Sequence, residues 1–83
     1  MNYIFEKDKV YLKNEEGKTT AEIDFKNISD DTIEIYRTFV DDSLRGQGVA
    51  GDLTNETVKY FENKNIKITA TCPYAKKWLE KNR

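Results

Sequence analysis

The chain has 83 residues, 37% of them apolar and 35% charged, which is material for one modest core and a single domain over 1–83. Its 14 basic and 15 acidic side chains give a net charge of -1, which argues against a nucleic-acid partner. One cysteine excludes an internal disulfide framework, and the lack of histidine removes His-containing zinc sites and the Ser-His-Asp triad.

The first half reads as strands. Tyr3 to Phe5 is a short apolar run, and Val10-Tyr11-Leu12 forms a second before the turn chemistry of Asn14-Glu15-Glu16-Gly17. Ala21, Ile23 and Phe25 then alternate with Glu22, Asp24 and Lys26, the period of a half-buried strand. Asn27 to Asp31 reads as a turn. Beyond it Ile33, Ile35 and Arg37 alternate with Glu34, Tyr36 and Thr38 as far as Phe39-Val40. Four strands joined by short turns make an antiparallel meander.

The pattern changes at Asp41. A loop with two glycines, Gly46 and Gly48, precedes Val49, Ala50, Leu53, Thr57, Tyr60 and Phe61 at helical spacing. This helix is predicted over about 47–63. Ile66, Ile68, Ala70 and Cys72 alternate with polar residues as a further strand, and Pro73 suits the first turn of a final helix. Ala75, Trp78 and Leu79 give that helix an apolar stripe, with Trp78 expected in the core. Strand, long helix and strand form a right-handed β-α-β crossover, which sets its two strands parallel. The predicted class is α+β, with a mixed, mainly antiparallel sheet and a C-terminal helix. No apolar run of about 18 residues spans a membrane. Charge follows too closely on Met1 for a signal peptide, so a soluble cytoplasmic protein with no membrane partner is expected.

The near-zero net charge hides an asymmetry. Residues 1–42 carry 11 acidic and 6 basic side chains, a net of -5, and residues 43–83 carry 4 and 8, a net of +4. Either this is chance, or the second half meets an anion while the first half faces a cation. The most informative segment is Leu44-Arg45-Gly46-Gln47-Gly48-Val49-Ala50, between strand and helix. Either this is a glycine-containing strand-to-helix loop that binds nothing, or it is an anion site: a helix start exposes unpaired N–H groups, and glycines let a bulky anion such as pyrophosphate approach them. The loop lacks the Lys-Ser/Thr of the ATP-type phosphate loop. Read with Gly46 and Gly48 as its glycines, it also lacks the spacing of the dinucleotide fingerprint.

Arg45-x-x-Gly48-x-Ala50 resembles the Q/R-x-x-G-x-G/A signature of the acetyl-CoA-dependent N-acetyltransferases, the GNAT superfamily. The ending Cys72-Pro73-Tyr74-Ala75-x-x-Trp78-Leu79 resembles a subgroup of very small GNAT-like proteins. The resemblance covers about residues 20–80 and implies a minimal GNAT-like fold. It implies that the amides of Arg45, Gly46, Gln47, Gly48, Val49 and Ala50 hold the pyrophosphate of acetyl-CoA, the cosubstrate. Backbone groups near Phe39 and Val40 would then hold the pantetheine arm and thioester between two splayed strands. The function implied is acetyl transfer to an amine, small or on a protein. An acetyl-CoA-binding module with little turnover is the alternative. Larger members carry further strands after the final helix, so half of the usual acceptor site is expected to be absent or supplied by a partner.

Two residues compete for the chemistry at the sulfur. Cys72 is either a small buried hydrophobe or a thiol near the acetyl group, as transient acyl carrier or proton donor. Tyr74 is either a partly buried aromatic or the group that returns a proton to the leaving thiolate. Glu22, Asp24, Glu34 and Asp42 are either solvated carboxylates or a base that draws in a cationic acceptor. Lys76, Lys77 and Lys81 are solvated helix charges, or contacts to the 3′-phosphate of coenzyme A.

Overall fold

The computed structural model describes residues 2–83. Five strands form one sheet in the order β1-β2-β3-β4-β5: Ile4–Phe5, Lys9–Lys13, Thr19–Ser29, Thr32–Val40 and Lys67–Ala70. The first four are antiparallel to their neighbours, and β5 joins β4 in parallel through the helix α1, Val49–Glu62. A second helix, α2, covers Pro73–Asn82. The mixed sheet, crossover and terminal helix are the α+β arrangement expected from the sequence.

The core lies between α1 and one face of the sheet. Val10, Ala21, Ile23, Ile33 and Ile35 from the strands are fully buried, as is Leu53 from the helix. Phe25 and Phe61 meet edge to face with centroids 4.9 Å apart, a favoured aromatic geometry. Asn65, at φ 61°, ends the α1 turn, and the Ile66 amide donates back to the Phe61 carbonyl.

Three expectations need correction. The predicted turn over Asn27–Asp31 is mostly strand: Asn27 pairs with Ile33 and Ser29 with Thr32, leaving Asp30 and Asp31 between them. The ladder from β4 overrides the weak strand propensity of Asn and Ser. Trp78 lies outside the core cluster and is half-buried, because Ala75 is the fully buried contact of α2. Finally, Arg37 does not keep step with Ile33 and Ile35. Asp24 pairs with Arg37 and Phe25 with Ile35, so Tyr36 is a bulge. After it the inward set becomes Thr38 and Val40, facing the same way as their partners Ile23 and Ala21.

The bulge sends Arg37 to the outer face, where its Nη1 lies 3.2 Å from both Glu22 Oε2 and Asp24 Oδ2. The hydrogen bond with Asp24, then burial, push the Glu22 carboxyl above its usual range, while Lys9 and Arg37 pull it down. A raised folded-state value costs stability above that value, and the cost vanishes as pH falls below the unfolded one. Arg37→Met should therefore cost about 1 kcal/mol near neutral pH and clearly less near pH ~4, where Glu22 takes up a proton. Equal falls in Tm at both pH values would show that the triad contributes no pH-dependent term.

Candidate functional site: the cleft at the start of α1

β4 is longer than its parallel partner. Pairing with β5 runs only from Thr32–Lys67 to Ile35–Ala70. The Ile35 carbonyl then accepts from both the Thr71 amide (2.9 Å) and the Cys72 amide (3.2 Å), and the chain turns into α2. Residues 36–40 of β4 continue without a β5 neighbour. The Asp41 amide donates to the Thr20 carbonyl, so antiparallel alternation turns the backbone groups of Phe39 and Arg37 toward β3. Those of Thr38 and Val40 point the other way, into the opening.

The opening meets the start of α1. A 3-10 turn over Asp42–Leu44, capped by the Asp41 side chain, leads from β4 into the glycine loop. Gly46 and Gly48 have φ of +82° and +74°, conformations that favour glycine. Gly48 is the N-cap and supplies no side-chain hydrogen bond. The first N–H groups of the helix, on Val49, Ala50 and Gly51, therefore have no cap and carry the positive end of the helix dipole. They open on a cleft of about 460 Å³. A Cβ built on Gly46 or Gly48 would meet nothing within 4 Å, so both glycines border open space.

Of the expected loop residues, Arg45, Gly46, Gly48, Val49 and Ala50 line this cleft, and so does Val40. Gln47 and Phe39 do not: the Gln47 amide side chain donates to the Ser43 carbonyl, and Phe39 lies under Arg37 on the outer face. Thr38, Leu44 and Gly51 are cleft residues that the sequence did not single out. Gly51 had a legible signal, because Gly46, Gly48 and Gly51 together do have the G-x-G-x-x-G spacing. No acidic residue stands about 20 residues on to bind a ribose, which separates the loop from dinucleotide sites. A Cβ on Gly51 would stand 3.6 Å from the Tyr74 hydroxyl, an ordinary van der Waals contact, so the α1 start and the α2 wall meet here.

Tyr74 is 41% exposed and forms the α2 wall of the cleft. Burial raises its pKa, so it holds its proton through neutral pH. Cys72 is only 9% exposed and sits behind Thr38, its Sγ 3.4 Å from the Thr38 Oγ1. Burial alone would push the thiol up. The Thr38 hydroxyl and the amides of Ala75 and Tyr74 at the α2 start outweigh it and bring the pKa down.

The four carboxylates proposed as base or lure do not border the cleft. Glu22 and Asp24 are held by Arg37, Glu34 lies 3.5 Å from Lys26, and Asp42 lies 2.9 Å from Arg45. Among the described residues none of the cleft lining is acidic. The expectation of a cationic acceptor drawn by the acidic half is thereby left without an acidic lining at this cleft: Glu22, Asp24 and Glu34 pair across strands, and Asp42 pairs with Arg45 within the loop.

Comparison with known proteins gives the same answer by another route. None of the curated proteins matches the sequence significantly. A GCN5-like protein of Staphylococcus aureus is 35% identical over 96% of this chain and 78% of its own, with a TM-score of 0.78. An acetyltransferase from Bacillus cereus is 25% identical over 75% of this chain and 44% of its own, at 0.64. A Mycobacterium tuberculosis protein solved in complex with CoA shares the fold at 12% identity and a TM-score of 0.68. This chain spans 46% of that protein. Residues 9–83 match the family model of the GCN5-related N-acetyl-transferases. With the splayed strands and the uncapped glycine-lined helix start already in view, that match over nearly the whole chain establishes that the protein belongs to the GCN5-related N-acetyl-transferase family.

Proposed function

We propose that residues 1–83 act as one domain that moves the acetyl group of acetyl-CoA to an amine. The observation that carries this is the uncapped row of amides at Val49, Ala50 and Gly51, opening where β4 outruns β5. Those N–H groups and the loop glycines suit a pyrophosphate, and the outward backbone groups of Thr38 and Val40 suit the amides of a pantetheine arm. That a protein of the same fold is solved with CoA supports the choice of ligand. A cytoplasmic setting, where thiols stay reduced, suits the free Cys72.

In this reading Tyr74 gives its phenolic proton to the sulfur that leaves as the thioester C–S bond breaks. Cys72, favoured as thiolate by Thr38 and the α2 amides, attacks the acetyl carbonyl first and carries the acyl group as a thioester. The neutral amine then attacks that carbonyl. A C–N bond forms, the Cys72 C–S bond breaks, and the proton shed by nitrogen returns to Tyr74.

The test is incubation with acetyl-CoA, with and without a panel of amines, read by mass spectrometry of small molecules and protein. Free coenzyme A and acetylated amine are expected together. Without amine, one acetyl is expected on Cys72, labile to hydroxylamine, and absent from Cys72→Ser. An unmodified mass with Cys72→Ser activity within about tenfold of wild type, ~1.4 kcal/mol of barrier, would return Cys72 to packing and leave direct attack by the amine. Binding without any released coenzyme A would leave a binding module.

A further inference from the structure

Coenzyme A has two arms that diverge from its pyrophosphate: the pantetheine and the 3′-phosphorylated adenosine. With the pyrophosphate and the pantetheine in the cleft at the start of α1, the nucleotide arm needs a surface beside it. A concavity of about 230 Å³ on α2 adjoins that cleft. Tyr74 walls both spaces, and its hydroxyl stands 3.6 Å from where a Cβ on Gly51 would lie, beside the row of uncapped amides. A larger hollow of about 770 Å³, around Ile66, Ile68 and Leu79, shares no lining residue with the cleft.

The lining of the α2 groove follows from the helical period. Tyr74, Lys77, Trp78 and Lys81 fall at i, i+3, i+4 and i+7 on one stripe, while Ala75 turns inward and is fully buried. Lys76 lies off the stripe and does not line the groove. At a rise of about 1.5 Å per residue, Lys77 and Lys81 stand roughly 4.5 and 10.5 Å beyond Tyr74 along the axis, the reach of a nucleoside leaving the amide row. The two lysines are one turn apart, a repulsive spacing, and neither has a carboxylate partner among the described residues. Arg45, the cation on the loop side of the cleft, differs: its Nε lies 2.9 Å from Asp42. Arg83 lies 5.4 Å from the Trp78 ring centroid and is held by Glu62 at 2.9 Å. The unpaired positive charge next to the cleft is therefore on Lys77 and Lys81, with the Trp78 ring between them.

We infer that this groove takes the nucleotide arm of acetyl-CoA, with the 3′-phosphate at the Lys77 and Lys81 ammonium groups and the adenine against Trp78. The assignment rests on acetyl-CoA occupying the cleft, and it adds a choice of donor. A phosphate monoester carries about -1.5 to -2 charges at neutral pH and relieves the repulsion between the two lysines as it binds. Stacking on an aromatic ring tolerates any base, so the phosphate supplies the selectivity. The domain then prefers 3′-phosphorylated coenzyme A to its dephospho form.

Acetyl-CoA and acetyl-3′-dephospho-CoA, which differ in that phosphate, are the first probes. Adenosine 3′,5′-bisphosphate, which lacks the pantetheine arm, is the third. The Kd of acetyl-CoA should be about tenfold below that of the dephospho form, the scale of two exposed charge-assisted contacts. Added salt should shrink the ratio. Lys77→Ala with Lys81→Ala should bring it within about twofold by weakening acetyl-CoA alone, and the double arginine variant should keep it. Trp78 is the single tryptophan, so the bisphosphate should change its fluorescence saturably. Equal affinity for the two donors, or no saturable response to the bisphosphate, overturns the assignment. So does a preference lost in Arg45→Ala but kept in the double alanine variant, which would give the phosphate to the loop. A saturable, lysine-dependent response to the bisphosphate with no coenzyme A released from acetyl-CoA would uphold the groove and count against acetyl transfer instead.

Discussion

Gly48→Asp should abolish acetyl-CoA binding while leaving the fold intact. Wild-type protein with ligand at a hundredfold excess over Kd should gain about 2.7 kcal/mol from mass action. For a domain of this size that is a rise in Tm of roughly 10 °C or more, at ~4–8 °C per kcal/mol. Gly48 sits at φ +74° as the N-cap of α1, with nothing within 4 Å of where a Cβ would go. A carboxylate there would stand at the uncapped start of α1 and occupy the space the proposed pyrophosphate needs. Asp is among the residues that tolerate this backbone region, and it can itself accept from the first-turn N–H groups. The unliganded Tm should therefore stay within a few degrees. Gly48→Ala separates the effects: it carries the left-handed backbone penalty of about 1–2 kcal/mol but no charge, and should keep weakened binding. A folded Gly48→Asp protein that still shows the full ligand-induced shift would remove the anion site from this loop.

Tyr74→Phe should lower kcat by about a hundredfold with little change in acetyl-CoA affinity. Loss of a positioned proton donor costs about 10²–10⁴ in rate. The substitution keeps the ring that walls both spaces, and the hydroxyl makes no hydrogen bond among the described residues, so no partner is left unsatisfied. Because burial raises the Tyr74 pKa, the phenol stays protonated where an amine begins to deprotonate. The wild-type rate should rise with pH as neutral amine accumulates, then fall only above the ordinary tyrosine range. The variant should lose that falling limb together with its rate. If kcat stays within about twofold, water or Cys72 delivers the proton and Tyr74 is only a wall.

How much of this was legible before folding differs from element to element. The strands around Val10, Ile23 and Ile35, the helix after Gly48 and the strand after Asn65 all follow from apolar period and turn chemistry, which act within a few residues. So does the glycine loop at the head of α1, where the uncapped amides need only local backbone geometry. The crossover then fixes β5 as parallel to β4. What the sequence withheld depends on pairing. The bulge at Tyr36 exists only relative to β3, yet it decides that Thr38 rather than Arg37 turns inward, toward Cys72 and the cleft. The same slip carries Arg37 across to Glu22 and Asp24, so those two carboxylates are paired on the outer face, although residues 1–42 keep their net charge of -5. Trp78 resembled core by its spacing, but Ala75 lets α2 approach closely and leaves the larger ring on the helix flank. Local chain geometry is written in neighbouring residues. Which side chains share a face is settled by strand register and helix approach, because each depends on residues tens of positions away.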